Sequence, residues 1–211
     1  MDALILVDIQ NDFLPGGALA VPQGDQVVAI ANALMPRFPL VIATQDWHPA
    51  KHGSFASQHP GKKPGDVITL NGLTQILWPD HCIQNTRGAE FAPGLRKAGF
   101  HHIIHKGTDP TIDSYSGLFD NGQKKETGMT DLLADKAVDT LYIMGLATDY
   151  CVKFTAMDAR MLGYTVYLIA DGCRGVNLKP GDTERAVEEM SQAGVVITKS
   201  DTVTRDRAKA G

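Results

Sequence analysis

Short apolar runs with little polar alternation recur along this chain, separated by longer segments in which apolar residues return every three or four positions. Runs of the first kind read as strands buried on both faces, and strands spaced by amphipathic helices build βαβ units around a parallel sheet. The runs predict six strands, over residues 4–7, 40–43, 102–105, 140–144, 165–169 and 195–198. Helices are expected over 26–37, 92–97, 129–136, 149–162 and 183–193, with Gly99, Gly163 and Gly194 as stops ahead of the next strand. The expected fold class is α/β. A long polar stretch rich in Gly, Pro and His, over about 45–91, exceeds what a crossover needs, and such excursions usually carry function. The last residues, 201–211, read as a mobile tail.

With 211 residues, 43% of them apolar and 21% charged, the chain can bury one sizeable core, and one domain over residues 1–211 is expected. A net charge of −4 with no run of basic residues leaves no electrostatic footprint for nucleic acid, whereas a small neutral or anionic metabolite suits it. The opening Met1–Asp8 run is interrupted by acid too soon for a signal peptide or a membrane span, so a cytoplasmic location and no membrane partner are expected. Cys82, Cys151 and Cys173 are odd in number and form no CxxC pair, which predicts reduced thiols rather than a disulfide framework or zinc knuckle.

In open parallel sheets ligands bind beyond the carboxyl ends of the strands, so the polar residue following each apolar run is the one to examine. Those residues are Asp8, the pair Asp46 and His48, Lys106, and Cys151. Cys151 falls where a buried strand gives way to a helix, a position at which free backbone amides favour a thiolate, with Thr148 or Asp149 as the cap. A nucleophilic thiol needs a base and, for acyl transfer, donors for the oxyanion. Asp8 can be the base, Lys106 can hold Asp8 ionised and lower the thiol pKa, and the amides of Ala147 and Cys151 can face the oxyanion. The plainer alternatives are a buried Asp8–Lys106 ion pair tying two strands together and a Cys151 that merely packs. His105 is the rival base, but it faces away from Lys106 on a regular strand.

Asp46 and His48, two apart in extended chain, project to one side and can chelate an ion, and His81 can fold back as a third ligand. Three protein ligands leave positions open, as catalytic sites do. His52 and His59 compete for that role; Cys82 is disfavoured beside His81. Phe13 and Trp78 are candidates to sandwich a flat substrate, with ordinary packing as the alternative; Tyr115 is a weaker candidate. Phe154 and Met157 are expected in the core, and Asp12 receives no role.

Taken together, Val7–Phe13, Gln45-Asp46-Trp47-His48-Pro49, Trp78-Pro79-Asp80-His81-Cys82, His105-Lys106-Gly107 and Gly145–Val152 resemble the nicotinamidase branch of the isochorismatase-like cysteine hydrolases, across nearly the whole chain. The resemblance implies a three-layer α/β/α fold with a six-stranded parallel sheet. It implies hydrolysis of nicotinamide to nicotinate and ammonia in NAD salvage, with pyrazinamide as a further substrate. On the matching positions it makes Asp8 the base, Cys151 the nucleophile and Lys106 the support of both. Asp46, His48 and His81 hold one divalent ion facing the ring nitrogen, zinc first with iron or manganese as alternatives. Phe13 and Trp78 flank the ring, and a cis Leu146–Ala147 bond aims the Ala147 amide, with that of Cys151, at the oxyanion. His52, Ser54 or water alone could complete the metal shell. The alternatives are a metal-dependent hydrolase of another small amide or isochorismate-like metabolite, in which Cys151 only packs, and a non-enzymatic binding member of the fold; the chain is a monomer or homo-oligomer in either case.

Overall fold

A computed structural model describes residues 1–209. Six parallel strands form one sheet in the order β5-β2-β1-β6-β7-β8: β1 (Asp2–Val7), β2 (Leu40–Asp46), β5 (His102–Lys106), β6 (Thr140–Leu146), β7 (Thr165–Arg174) and β8 (Val196–Thr198). All six predicted strands are present, most of them longer at the carboxyl end. β1 and β2 are buried almost throughout, as their apolar runs require, whereas edge strand β5 alternates and leaves Ile103 exposed.

Between strands run α1 (Val27–Leu34), α2 (Met129–Asp135), α3 (Lys153–Met161) and α4 (Asp182–Gln192), followed by α5 (Ser200–Lys209). From β1 the chain moves outward through β2 to β5, then returns to β6 on the other flank of β1 and moves outward again to β8. With right-handed crossovers, this reversal puts α1 on one face and α3 with α4 on the other; α5 returns to pack on α1. The result is three layers, with a crevice between β1 and β6 at the switch point. Asp8 and Cys151 lie just past the ends of those two strands.

Three expectations are corrected. Residues 92–97 form no α-helix, only turns leading to a 3-10 turn at Lys97–Gly99. Gly94 takes φ 82°, and the Asn32 side chain accepts from the Arg96 amide and donates to the Gly94 carbonyl, each at 2.8 Å, so these groups are spent outside a helix. The segment expected to be a mobile tail is instead α5 as far as Lys209, Ala210 and Gly211 lying outside the described residues. Val203 is buried, Asp171 accepts from both the amide and the hydroxyl of Ser200, and Arg207 stacks over Phe38 at 3.7 Å and pairs with Asp2. The third is Phe154, which is 39% exposed rather than core.

The polar excursion contains an antiparallel hairpin that the sequence reading missed, β3 (Val67–Leu70) and β4 (Leu73–Ile76). Its two-residue turn is Asn71-Gly72, with φ of 50° and 82°. That dipeptide is the ordinary signal for such a turn. No helix among the described residues is long and apolar enough to cross a membrane.

Candidate active site

Strand register brings the polar residues together. Asp46 and Lys106 are direct partners on β2 and β5, and Val7 pairs with Gly145 on β1 and β6. Gly145 lies so close to Val7 that a Cβ would collide with its backbone, so only glycine lets β6 approach β1 here. Beyond Val7 the chain turns sharply at Asp8, whose φ is 47°, a conformation Asp tolerates better than most residues.

Lys106 is the hub. Its Nζ lies 2.9 Å from Asp8 Oδ2 and donates to Asp46 Oδ1 at 2.9 Å, to the Ser114 carbonyl at 2.9 Å and to Cys151 Sγ at 3.4 Å. An ammonium has three protons, and these three acceptors use them. Asp8 Oδ2 is therefore held electrostatically but receives no hydrogen bond among the described residues, while Oδ1 accepts one from Thr44 Oγ1 at 2.6 Å. The oxygen left free is the one able to take a proton.

Burial raises the Asp8 carboxyl above its ordinary value against the pull of Lys106, and Asp46 adds to the rise. Burial also works to raise Asp46, yet the charges of His48 and Lys106 hold it well below the usual range. Burial opposes the Lys106 charge, but Asp46 and Asp8 keep the ammonium far above its ordinary pKa. The Cys151 thiol is pushed well up by burial; Lys106 pulls it down, and the two carboxylates push it up again. This reverses the expectation of a thiolate at rest: desolvation outweighs both the helix terminus and Lys106.

Cys151 sits in a π-helical turn, Thr148–Val152, that leads into α3. Neither expected cap forms: Thr148 Oγ1 is buried without a hydrogen bond among the described residues, and the Asp149 carboxylate reaches instead to the loop after β7. The Leu146–Ala147 peptide is cis, and Ala147 and Cys151 both face the pocket. His105 points away, stacked on Trp47 and bonded to Gln45, so it is not near the thiol.

The metal candidates converge as well. Asp46 Oδ2 lies 3.2 Å from His48 Nε2 and 3.5 Å from His81 Nε2, all three residues buried. Each histidine commits its other nitrogen to a backbone carbonyl, His48 Nδ1 to Gly107 at 2.9 Å and His81 Nδ1 to Pro79 at 2.8 Å. With Nδ1 donating to those carbonyls, the Nε2 atoms, both near Asp46 Oδ2, are the nitrogens with lone pairs for an ion, and the carbonyls fix the orientation of each ring. His48 Nε2 has no hydrogen-bond partner among the described residues, as a nitrogen waiting for an ion would not. The donor set fits a divalent cation. Gly107 is required, because a Cβ there would strike the His48 ring.

His52 and Ser54 bond to each other, Nδ1 to Oγ at 2.7 Å. His52 also groups with His48 and Asp113, and its own Nε2 has no partner among the described residues. His59 is committed to the Gly53 carbonyl. Cys82 is fully buried, its amide donating to Asp12 Oδ2 at 2.7 Å, so Asp12 orients the turn that carries His81.

Between Cys151 and the metal candidates Asp46 and His81 lies a pocket with Phe13, Trp78, Tyr115, Tyr150 and Val176 among its walls. Tyr115 OH accepts from Trp78 Nε1 at 3.1 Å, and the Trp78 and Tyr150 rings meet edge-on at 4.8 Å. Phe13 and Trp78 both line this pocket. Missed by sequence reasoning were Thr44, Asp113, Tyr150 and Gln10, whose amide brackets the Asp46 backbone with two bonds of 2.8 Å. A polar Gln10 so soon after β1, fully buried in the structure, was the readable signal.

The isochorismatase domain model matches residues 2–202. The chain is 55% identical over 199 residues to the nicotinamidase of Escherichia coli (strain K12), covering 92% of this chain and 93% of that one. An Acinetobacter baumanii nicotinamidase pyrazinamidase structure superposes with TM-score 0.93 at 44% identity, over 96% and 97% of the two chains. A Pyrococcus horikoshii pyrazinamidase in complex with zinc superposes with TM-score 0.77 at 40% identity, over 94% and 98%.

Proposed function

The chain belongs to the isochorismatase family, and from that premise we infer that it is an amidohydrolase converting nicotinamide to nicotinate and ammonia, with pyrazinamide as a further substrate. The observation that carries the residue assignment is the buried cluster in which Lys106 Nζ lies 2.9 Å from Asp8 Oδ2 and 3.4 Å from Cys151 Sγ.

The amide substrate lies in the pocket with its ring against Phe13 and Trp78 and its carbonyl carbon at Cys151. Burial disfavours the thiolate, so the thiol proton passes to Asp8 as sulfur adds to the carbonyl carbon. The Ala147 and Cys151 amides receive the negative charge that develops on the carbonyl oxygen. Asp8, now protonated, delivers that proton to the departing ammonia, leaving a thioester. The same carboxylate then takes a proton from water as the water oxygen adds to the thioester carbon; the C–S bond breaks, nicotinate leaves and Asp8 returns the proton to Cys151 Sγ, with Lys106 keeping the carboxylate oriented throughout. Asp46, His48 and His81 would hold a divalent cation, with zinc the first choice given the zinc-bound Pyrococcus relative. When bound, that ion supplies a Lewis-acid contact for the ring nitrogen. Feeding nicotinate into NAD salvage in the cytoplasm is the role this activity serves.

The test is ammonia release from nicotinamide by the metal-replete protein, with Cys151→Ala alongside. Release by the wild type and a loss of at least about 10³-fold in the variant, with its circular dichroism unchanged, supports the assignment. A variant that keeps near-normal turnover would sink it and favour metal-activated water.

A further inference from the structure

Asp149 stands between the oxyanion residue Ala147 and the nucleophile Cys151, is buried, and caps nothing on its own turn. Its two oxygens serve a distant segment: Oδ1 accepts from the Val176 amide at 2.9 Å and Oδ2 from the Asn177 amide at 2.7 Å. Val176 is a wall of the substrate pocket. The same segment is pinned from its other side, where Asn177 Oδ1 accepts from the Thr183 amide in the first turn of α4 and Gly175 leaves no room for a Cβ against Thr183 Oγ1. Asn177 itself is left-handed, with φ 52°. One carboxylate therefore sets the distance between a pocket wall and the turn that carries the nucleophile.

We propose that Asp149 is a positioning residue that holds Val176 against the substrate ring, tuning how tightly the amide is gripped without acting on the reacting atoms; the proposal rests on the amidohydrolase reading above. Both carboxylate oxygens are needed, because two N–H groups point at them. Asparagine offers one acceptor and turns an NH₂ donor toward the other N–H, so even this near-isosteric change breaks one bond and leaves a backbone donor unpaired.

The experiment compares wild type, Asp149→Asn, Val176→Ala and the double variant, full-length and metal-replete, on nicotinamide, together with amide hydrogen exchange at Val176 and Asn177. Asp149→Asn is expected to raise KM about tenfold, the scale of losing one hydrogen bond to a charged group, and Val176→Ala to raise it by about the same factor, the scale of removing two apolar carbons from the wall, each with kcat within about twofold of wild type. The double variant should exceed the larger single effect by less than about twofold, since both act on one wall. Exchange at the two amides should quicken at least about tenfold in Asp149→Asn and stay unchanged in Val176→Ala. A fall in kcat at constant KM, fully additive effects, or unchanged exchange in Asp149→Asn each overturns the proposal. If Asp149→Asn does not fold, a Val176→Ala enzyme with wild-type KM overturns it. Should the wild type release no ammonia, the functional reading fails separately, and the exchange rates alone decide whether Asp149 holds this wall.

Discussion

Thr44→Val tests how the base is tuned. Thr44 Oγ1 donates to Asp8 Oδ1 at 2.6 Å and accepts from the Asp8 amide at 3.1 Å, with both residues fully buried. Valine fills the same space and removes the donor. A hydrogen bond to a charged group contributes about 1.5–3 kcal/mol, and one pKa unit corresponds to about 1.36 kcal/mol, so the Asp8 pKa should rise by about 1–2 units. Its starting point is already raised by burial. On the proposed mechanism Asp8 receives the thiol proton in its ionised form, so the acid limb of kcat/KM should move to higher pH by the same amount, while the plateau above it survives. The stability cost follows the same sign. A carboxyl with a raised native pKa is stabilising in its protonated form, so the part of the penalty tied to the charge is present above that pKa and fades as pH falls through it. The assay is ammonia release across pH for metal-saturated wild type and variant. A limb that stays in place or moves to lower pH would refute the reasoning.

Gly107→Ala should push the His48 ring off its carbonyl and weaken divalent-ion affinity by about 10–100-fold, read by competition with a chromophoric chelator; unchanged affinity would mean that His48 is not a ligand. Stripping the ion with a chelator should abolish nicotinamide turnover, and adding back a divalent ion should restore it; turnover that survives a verified loss of metal contradicts the assignment of Asp46, His48 and His81. Iodoacetamide at neutral pH should label Cys151, which lines the pocket, before Cys173, which does not; mass spectrometry showing Cys173 labelled first would contradict this. Arg207→Ala removes the cation over Phe38 and the pairing with Asp2, and should cost about 2 kcal/mol by urea unfolding, with faster exchange in α5; an unchanged midpoint would show that Arg207 does not anchor that helix.

The sheet was legible because β1, β2 and β6 are buried on both faces and leave unbroken apolar runs. The converging Asp8, Asp46, Lys106 and Cys151 were legible because each follows such a run, and a parallel sheet brings all carboxyl ends to one edge. What escaped depends on partners far away in sequence. Helix α5 has one buried apolar residue, Val203, among those described and is secured by Asp171, Phe38 and Asp2, contacts no local pattern shows. Residues 92–97 look helical until Asn32 takes their backbone bonds. Asp149 reads as a cap until the loop after β7 claims both its oxygens. The thiol's protonation state failed for another reason: helix-terminus logic counts local dipoles, whereas complete burial is a property of the assembled fold.

Three carboxylates are buried at this end of the sheet, Asp46 and Asp113 in the pocket wall and Asp8 beside them, and the buried Lys106 ammonium pairs with Asp8 and Asp46. Counted formally, that interior is two negative charges away from neutrality, and isolated charge is costly where water is excluded. A doubly charged cation held by Asp46, His48 and His81 would balance the set. On the proposed assignment, electroneutrality would make that cation part of the condition for keeping Asp8 charged in a buried site, and it would link the two halves of the site: each would gain or lose affinity for its own cation or proton as the other fills.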